Sequence, residues 1–219
     1  MRSAERPWNI NIHLDRLLAR LAAPGDRVLD VGCGDGFLSA RLAEAGYHVV
    51  ALDADAGVLD RAQERWAGRP VDWVHGDLMT HPLAAGSFDA VLSNATLHHL
   101  PDAGAALARM AHLVRPGGTV GVVGFARNGP LDWPMSLIGA VGIFVLVRVR
   151  GKWEHTAPIA WPPQQTYGQM RRLSARVLPG SSYRRLWLGR YLLTWRRPGT
   201  PGSAGPRRWP ARRRPRRPG

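Results

Sequence analysis

Five short apolar runs, "RVLDVG", "HVVALD", "VDWVHGD", "FDAVLSN" and "GTVGVVGF", alternate with segments of helical length across residues 27–125. No other feature restricts the fold so strongly. The segments between the runs, Gly36–Ala45, Asp55–Trp66, a shorter stretch near Met79–Ala85 and Asp102–Val114, read as helices. Strand, helix and strand repeated at this pitch specify an α/β fold, a parallel sheet with helices on both faces. Near-continuous apolar strands agree, because a parallel sheet is buried on both sides. Ahead of them Leu14, Leu17, Leu18 and Leu21 recur at helical spacing, predicting an N-terminal helix that closes at Pro24-Gly25.

Beyond Phe125 the rhythm changes. Trp133–Val149 reads as one apolar helix and Gln164–Val177 as another. "ARVLPGSSYRRLWLGRYLLTWRRP" reads as two strands about a Pro-Gly-Ser-Ser turn, with Trp187, Tyr191, Leu193 and Trp195 bulky enough to join a sheet edge. From Pro198 onward Pro, Gly, Ser and Arg dominate, the composition of a disordered tail. The expectation is one domain, 1–197, with a binding core at 26–125, a substrate or lid segment at 126–175 and an edge hairpin at 176–197, followed by the tail 198–219. A length of 219 residues suits that division. There is no internal repeat.

The net charge of +14 is unevenly spread. Residues 1–125 carry 11 Arg against 14 Asp and Glu, whereas 126–197 carry 12 Lys and Arg against 2 acids, and the tail adds 7 Arg with no acid. The basic character therefore lies outside the half that carries the motifs. One lysine against 29 arginines reads as a GC-rich coding bias rather than selection for nucleic-acid contact. Cys33 is the only cysteine, which excludes an internal disulfide framework and fits a reducing compartment, most simply the cytosol. Residues 1–10 do not read as a secretion signal. The longest apolar block, Trp133–Val147, has 15 residues, short of the roughly 20 that a membrane span needs.

The run "VLDVGCGDGFLS" places Gly32, Gly34 and Gly36 where the first strand meets a helix. Glycine serves there because the backbone turns tightly and a ligand approaches without a Cβ in its way. A dinucleotide loop has G-x-G-x-x-G, but the position of its third glycine is Phe37 here. Asp30 and Asp35 add negative charge where a pyrophosphate would be repelled. A ligand bearing an ammonium and a sulfonium has the opposite need: Asp30 can hold the amino group directly or through water, and exposed amides near Gly32–Gly34 can meet a carboxylate. Asp53 closes the second run and can accept both hydroxyls of a ribose. Asp77 closes the third and can accept from the exocyclic amine of adenine, with Leu78 on the ring. In a doubly wound sheet these three strand ends form one rim.

Taken in order, "VLDVGCGDG", "VVALDAD", "HGDL", "FDAVLSNATLHHL" and "LVRPGGTVGVVGF" resemble the motifs of class I S-adenosylmethionine-dependent methyltransferases, most of all the small-molecule branch with quinone- and sterol-type enzymes. The resemblance covers roughly residues 26–125. It implies a doubly wound, seven-stranded, mostly parallel sheet, Rossmann-like, ending in an antiparallel edge hairpin. It implies S-adenosylmethionine as cofactor, with Asp30 and the loop Gly32–Gly36, Cys33 and Gly34 included, facing the methionine part, Asp53 the ribose, Asp77 and Leu78 the adenine, Ala54 also binding the cofactor, and Asn94 lying near the methyl group. It implies methyl transfer to a small, apolar acceptor. An NAD-dependent oxidoreductase is disfavoured by Phe37 and the acids; an S-adenosylmethionine-binding regulatory module without catalysis stands as a further alternative.

The family's specificity lies in its variable parts. Here those parts carry Trp8, His13, Trp133, Trp153, His155, Trp161 and Tyr167, which can wall an apolar or cationic acceptor or fill a lid interface. "WPMSLIGAVGIFVLV", followed by Arg148, Arg150 and Lys152, reads either as a lid helix or as a helix making peripheral membrane contact through 133–152, which would make a cytoplasmic protein membrane-associated. "SNAT" stands where methyltransferases acting on bases and glutamine carry Asn-Pro-Pro-aromatic, so no specific nucleic acid is expected. The adjacent His98 and His99 admit three readings: a base, metal ligands, or packed rings. Adjacent helical residues point about 100° apart and no acid or cysteine cluster joins them, which counts against a metal pair. Asp102, with Pro101 before it, is placed to cap the next helix, and His99 is the better candidate for a catalytic base.

Overall fold

The computed structural model describes residues 9–129, 132, 139, 142, 144, 145, 148, 162–186 and 189–199. Strand β1 (Arg27–Val31) buries its last four residues and β4 (Phe88–Asn94) its first six. Both lie at the centre of a sheet covered on two faces, where every alternate side chain meets a helix. With β2 (His48–Asp53), β3 (Val71–His75), β5 (Val114–Gly124), β6 (Ser182–Leu186) and β7 (Arg190–Arg196) they form one seven-stranded sheet in the order β3-β2-β1-β4-β5-β7-β6. Strands β3 through β5 pair in parallel, whereas β7 runs antiparallel to both β5 and β6. The expected doubly wound, mostly parallel sheet with an antiparallel C-terminal hairpin is the fold observed.

Helices α1 (Ile10–Ala19), α2 (Phe37–Glu44) and α3 (Ala56–Arg65) cover one face, where Leu14, Leu18, Leu38, Leu42 and Leu59 join strand residues in one apolar cluster. On the other face α4 (Ala103–Leu113) and α5 (Tyr167–Val177) supply Leu107, Met110, Leu113, Tyr167 and Met170 to a second cluster. Asn9 caps α1 by accepting from the Ile12 amide at 2.8 Å. Asp102 caps α4, as expected, by accepting from the Gly104 and Ala105 amides at 2.8 and 2.9 Å. A reciprocal capping box between Thr166 and Gln169 starts α5.

The elements depart from expectation in three places. The stretch near Met79–Ala85 is no helix: Asp77 Oδ1 accepts from the Met79 amide at 2.7 Å, and a turn leads through Pro82 to β4. The hairpin does not turn at Pro179–Ser182. Pro179 and Gly180, at φ +79°, instead end α5, and the strands flank residues 187–189. Helix α1 stops at Ala19, several residues before Pro24-Gly25. The tail beyond residue 199 lies outside the described residues. Within 133–152 only Gly139, Gly142, Phe144, Val145 and Arg148 are described; they are helical, with Phe144 70% and Val145 52% exposed. Among the described residues no helix is long and apolar enough to cross a membrane.

Candidate active site

The strand order reverses at β1, which has β2 on one side and β4 on the other. In a doubly wound sheet the loops at the carboxyl ends of those strands diverge and leave a crevice. A cavity of about 1190 Å³ occupies that place.

The loop after β1 takes its shape from three glycines in the left-handed region, Gly32 at φ +66°, Gly34 at +54° and Gly36 at +75°. They are not equivalent. A Cβ on Gly32 would run into the Thr96 side chain, and one on Gly36 would run into Trp73. A Cβ on Gly34 would meet nothing within 4 Å. The loop amides expected to stay exposed are instead held by the chain itself. The Gly32 and Cys33 amides donate to the Leu52 carbonyl at 2.8 and 3.1 Å, and the Gly34 amide donates to Asp53 Oδ2 at 2.8 Å. The loop folds back onto the end of β2, so its backbone donors are satisfied locally.

The carboxylates expected at the rim have different surroundings. Asp30, 1% exposed, accepts from the Ser39 hydroxyl at 2.6 Å. Burial pushes its pKa up to about 7, the Ser39 hydrogen bond opposing and the Asp53 charge adding. Asp53 Oδ1 accepts from the Asp55 amide at 3.0 Å, so Asp53 ties the glycine loop to the start of α3. The Ala54 carbonyl lies 3.1 Å from His75 Nε2. Asp77 is exposed beside the buried Leu78. Burial raises the Cys33 thiol well above its ordinary range, so it stays protonated.

At the end of β4 the Asn94 amide donates to the Asn11 carbonyl at 2.9 Å and to Asp15 Oδ1 at 2.7 Å. Ala95, at φ +59°, is the one non-glycine residue among those described with positive φ, a costly conformation that turns the chain sharply out of β4 beside the cavity. His98 and His99 follow in a single 3-10 turn, Leu97–His99, with ring centroids 4.0 Å apart; His98 also lies 4.7 Å from the Phe125 ring. The divergence expected of neighbours on a helix does not occur, because the two rings fold over each other in this tight turn. Burial pulls His98 down to about 4, and the nearby His99 and Arg190 add to that. Burial also lowers His99, with Asp53 opposing. Both are mainly neutral imidazoles near pH 7.

Asp30, Gly32, Cys33, Gly34, Asp53, Ala54, Asp77, Leu78, Asn94 and His99 all line this one cavity. Sequence reasoning missed Asp15, Asn11, Phe125 and Arg190, which line it too. Asp15 is 3% exposed, and burial pushes it up to about 8. Its signal was present, since it follows Leu14 and precedes Leu18 by three on the apolar stripe of α1. Arg190, 9% exposed, lies 3.4 Å over the Phe125 ring and donates to Asn11 Oδ1 at 3.2 Å; burial lowers it to about 9. Of the expected acceptor wall, Tyr167 belongs to the core and His13 is half-buried away from the cavity. Trp8, Trp133, Trp153, His155 and Trp161 lie outside the described residues.

Comparison with known proteins places the chain. The model of a family described as a methyltransferase domain matches residues 29–122. An uncharacterised methyltransferase of Mycobacterium tuberculosis is 51% identical over 195 residues, 89% of this chain and 99% of that one. The chain is a class I S-adenosylmethionine-dependent methyltransferase. The methyltransferase is also 37% identical over 132 residues to a ubiquinone biosynthesis O-methyltransferase of Xanthomonas campestris, covering 59% of this chain and 55% of the relative. A TehB-like SAM-dependent methyltransferase from Corynebacterium glutamicum shares its fold at a TM-score of 0.55 and 20% identity, covering 87% and 89% of the two chains.

Membership implies S-adenosylmethionine as the methyl donor, and the cavity of this methyltransferase suits it. Six aspartates line the space, Asp15, Asp30, Asp35, Asp53, Asp55 and Asp77, and Arg190 is the only Arg or Lys among the described lining residues. Even with Asp15 raised to about 8 and Asp30 to about 7 by burial, the other aspartates outnumber Arg190, and such a wall favours a cationic ligand over a pyrophosphate. Gly34 leaves the backbone open to close approach.

Proposed function

We propose that this methyltransferase methylates a small, largely apolar acceptor, with the cofactor held along the β1–β3 rim and the acceptor entering beyond Asn94. The observation that carries the reading is the make-up of the cavity wall: besides the aspartates at the ends of β1–β3, Ile10, Ile12, Leu100, Pro101 and Phe125 line it together with His98 and Arg190. The similarity to an O-methyltransferase of ubiquinone biosynthesis supports an acceptor of this kind.

When bound, the cofactor supplies an electrophilic methyl on a sulfonium. The protein's own contribution is to position and to exclude water. Asp53 accepts from the ribose hydroxyls while it holds Gly34; Asp77 and Leu78 take the adenine; Asp30 and the Gly32–Gly34 loop take the methionine part; Asn94 marks the reacting end. A neutral imidazole accepts a proton where the nucleophile carries one. His99, exposed at the cavity mouth, is our candidate, and His98 packs behind it on Phe125. Peripheral contact of 133–152 with a membrane surface belongs to the same proposal, on the exposed Phe144 and Val145; deleting the segment is expected to abolish co-sedimentation with liposomes.

S-adenosylhomocysteine is expected to raise the Tm and NAD to leave it unchanged; the reverse would overturn the reading. Asp53→Ala is expected to weaken S-adenosylhomocysteine binding by about tenfold or more in calorimetry, the scale of a charged hydrogen bond. A screen of small-molecule, lipid and nucleic-acid fractions with labelled methyl donor identifies the acceptor, and label in nucleic acid alone would refute the acceptor class.

A further inference from the structure

The turn that takes the place of the expected helix after β3 is tied to one side chain of another element. Arg109 of α4 donates through Nε to the Leu78 carbonyl at 3.3 Å. Through Nη2 it donates to the His81 and Leu83 carbonyls at 3.0 and 3.5 Å. Ala106 and Met110, one turn before and one residue after it on α4, are fully buried in the same apolar cluster as Leu78. The guanidinium is thus anchored on a packed helix, and its rigid fork gathers three carbonyls of an irregular segment at once.

That segment reaches the cavity at three places. Leu78 lines it, and so does Asp77, whose Oδ1 accepts from the Met79 amide at 2.7 Å and whose backbone carbonyl accepts from the His81 amide at 2.8 Å. Gly76 lines it as well, and the His81 side chain lies so close that a Cβ on Gly76 would run into it. Arg109 is not among the lining residues. Its influence on a ligand passes through the residues it holds.

We propose that Arg109 is a positioning residue of the methyl-donor site: by tying the 78–83 turn to α4, it fixes Asp77 and Leu78 where they select adenine by its exocyclic amine. The proposal rests on the reading of the cavity as the cofactor site, with Asp77 and Leu78 at the base. An ionised carboxylate only accepts. It therefore pairs with the amine of adenine and is repelled by the oxygen that stands at that place in hypoxanthine. Such selection requires a fixed acid, since one that can swing aside meets either base. Without Arg109 the turn keeps its own hydrogen bonds to Asp77 and loses its attachment to the helix.

Calorimetric titration of the full chain with S-adenosylhomocysteine and with S-inosylhomocysteine, which carries oxygen in place of the amine, reads the selection as a ratio of Kd values. The wild-type chain is expected to prefer the adenine ligand by about tenfold or more. Arg109→Met keeps the apolar stem and removes the fork, and should bring the ratio to about two or less, chiefly by weakening the adenine ligand. Arg109→Lys keeps the charge without the fork; its ratio should fall at least about threefold, and it decides if Arg109→Met does not fold. A merely structural Arg109 would weaken both ligands alike and leave the ratio intact, which would overturn the proposal. An unchanged ratio in Arg109→Lys would do the same. A wild-type chain that binds both ligands equally would overturn it together with the adenine role of Asp77, and leave the cofactor site standing. No binding of S-adenosylhomocysteine to the wild type would sink the cofactor reading itself.

Discussion

The three glycines of the loop after β1 look alike in sequence and have separate tasks in the fold. Gly32 makes room for Thr96, whose hydroxyl donates back to the Gly32 carbonyl at 3.1 Å. Gly32→Ala is therefore expected to lower the Tm by about 5 °C or more, combining left-handed strain with a collision. Gly34→Ala meets only the strain, about 1 kcal/mol, and should keep the fold while losing S-adenosylhomocysteine affinity in calorimetry. An unchanged affinity would place the ligand elsewhere. The loop, Asp53 and Asp77 were legible because glycine spacing and acids at strand ends have local signatures. Asp15 was not read, although its stripe was, since a carboxyl among leucines is assigned to solvent until the sheet beneath it is known. Arg190 had no local signal: its place in the cavity depends on a pairing with β5 made across the whole sheet.

Helices were legible where their ends carry a chemical mark. Asp102→Ala removes two hydrogen bonds at the start of α4, and should cost about 1 kcal/mol of stability in denaturant titration. Binding of S-adenosylhomocysteine should be unaffected, because Asp102 is not among the residues that line the cavity. The stretch after β3 shows the opposite. Met79–Ala85 has helical length, yet Asp77 turns the chain at once and Pro82 lacks the amide a helix needs. The Pro-Gly pair at 179–180 was read correctly as a punctuation mark and assigned to the wrong element. It stops α5, and the strand turn lies beyond it, because the same residues that close hairpins also end helices.

For the molecule as a whole, the buried acids set the response to pH. Asp15 and Asp30 have raised values, about 8 and about 7, so the folded chain holds protons that the unfolded chain has already lost above its ordinary carboxylate range near 4. Stability due to these groups falls as pH rises from about 4 to about 8. His98, lowered to about 4, acts oppositely between there and 6.5. Above 6.5 that compensation ends, and the Tm should decline towards pH 8; Asp15→Asn should flatten the decline. A Tm that rises over this interval in the wild-type chain would show that the two acids are ionised in the folded state.

The position of β7 also bears on how the chain is made. Strand β6 precedes it in the sequence, yet among the described residues β6 pairs in the sheet only with β7, and the outer edge of β5 is likewise covered by β7. Synthesis from the N-terminus therefore produces β6 before it has a neighbour, and the sheet closes when a later segment slips between two earlier ones. A chain cut after Leu186 should retain the β3–β5 half with an open strand edge and collect in the insoluble fraction. The nascent chain must wait for its last described strand before that edge of its sheet can close.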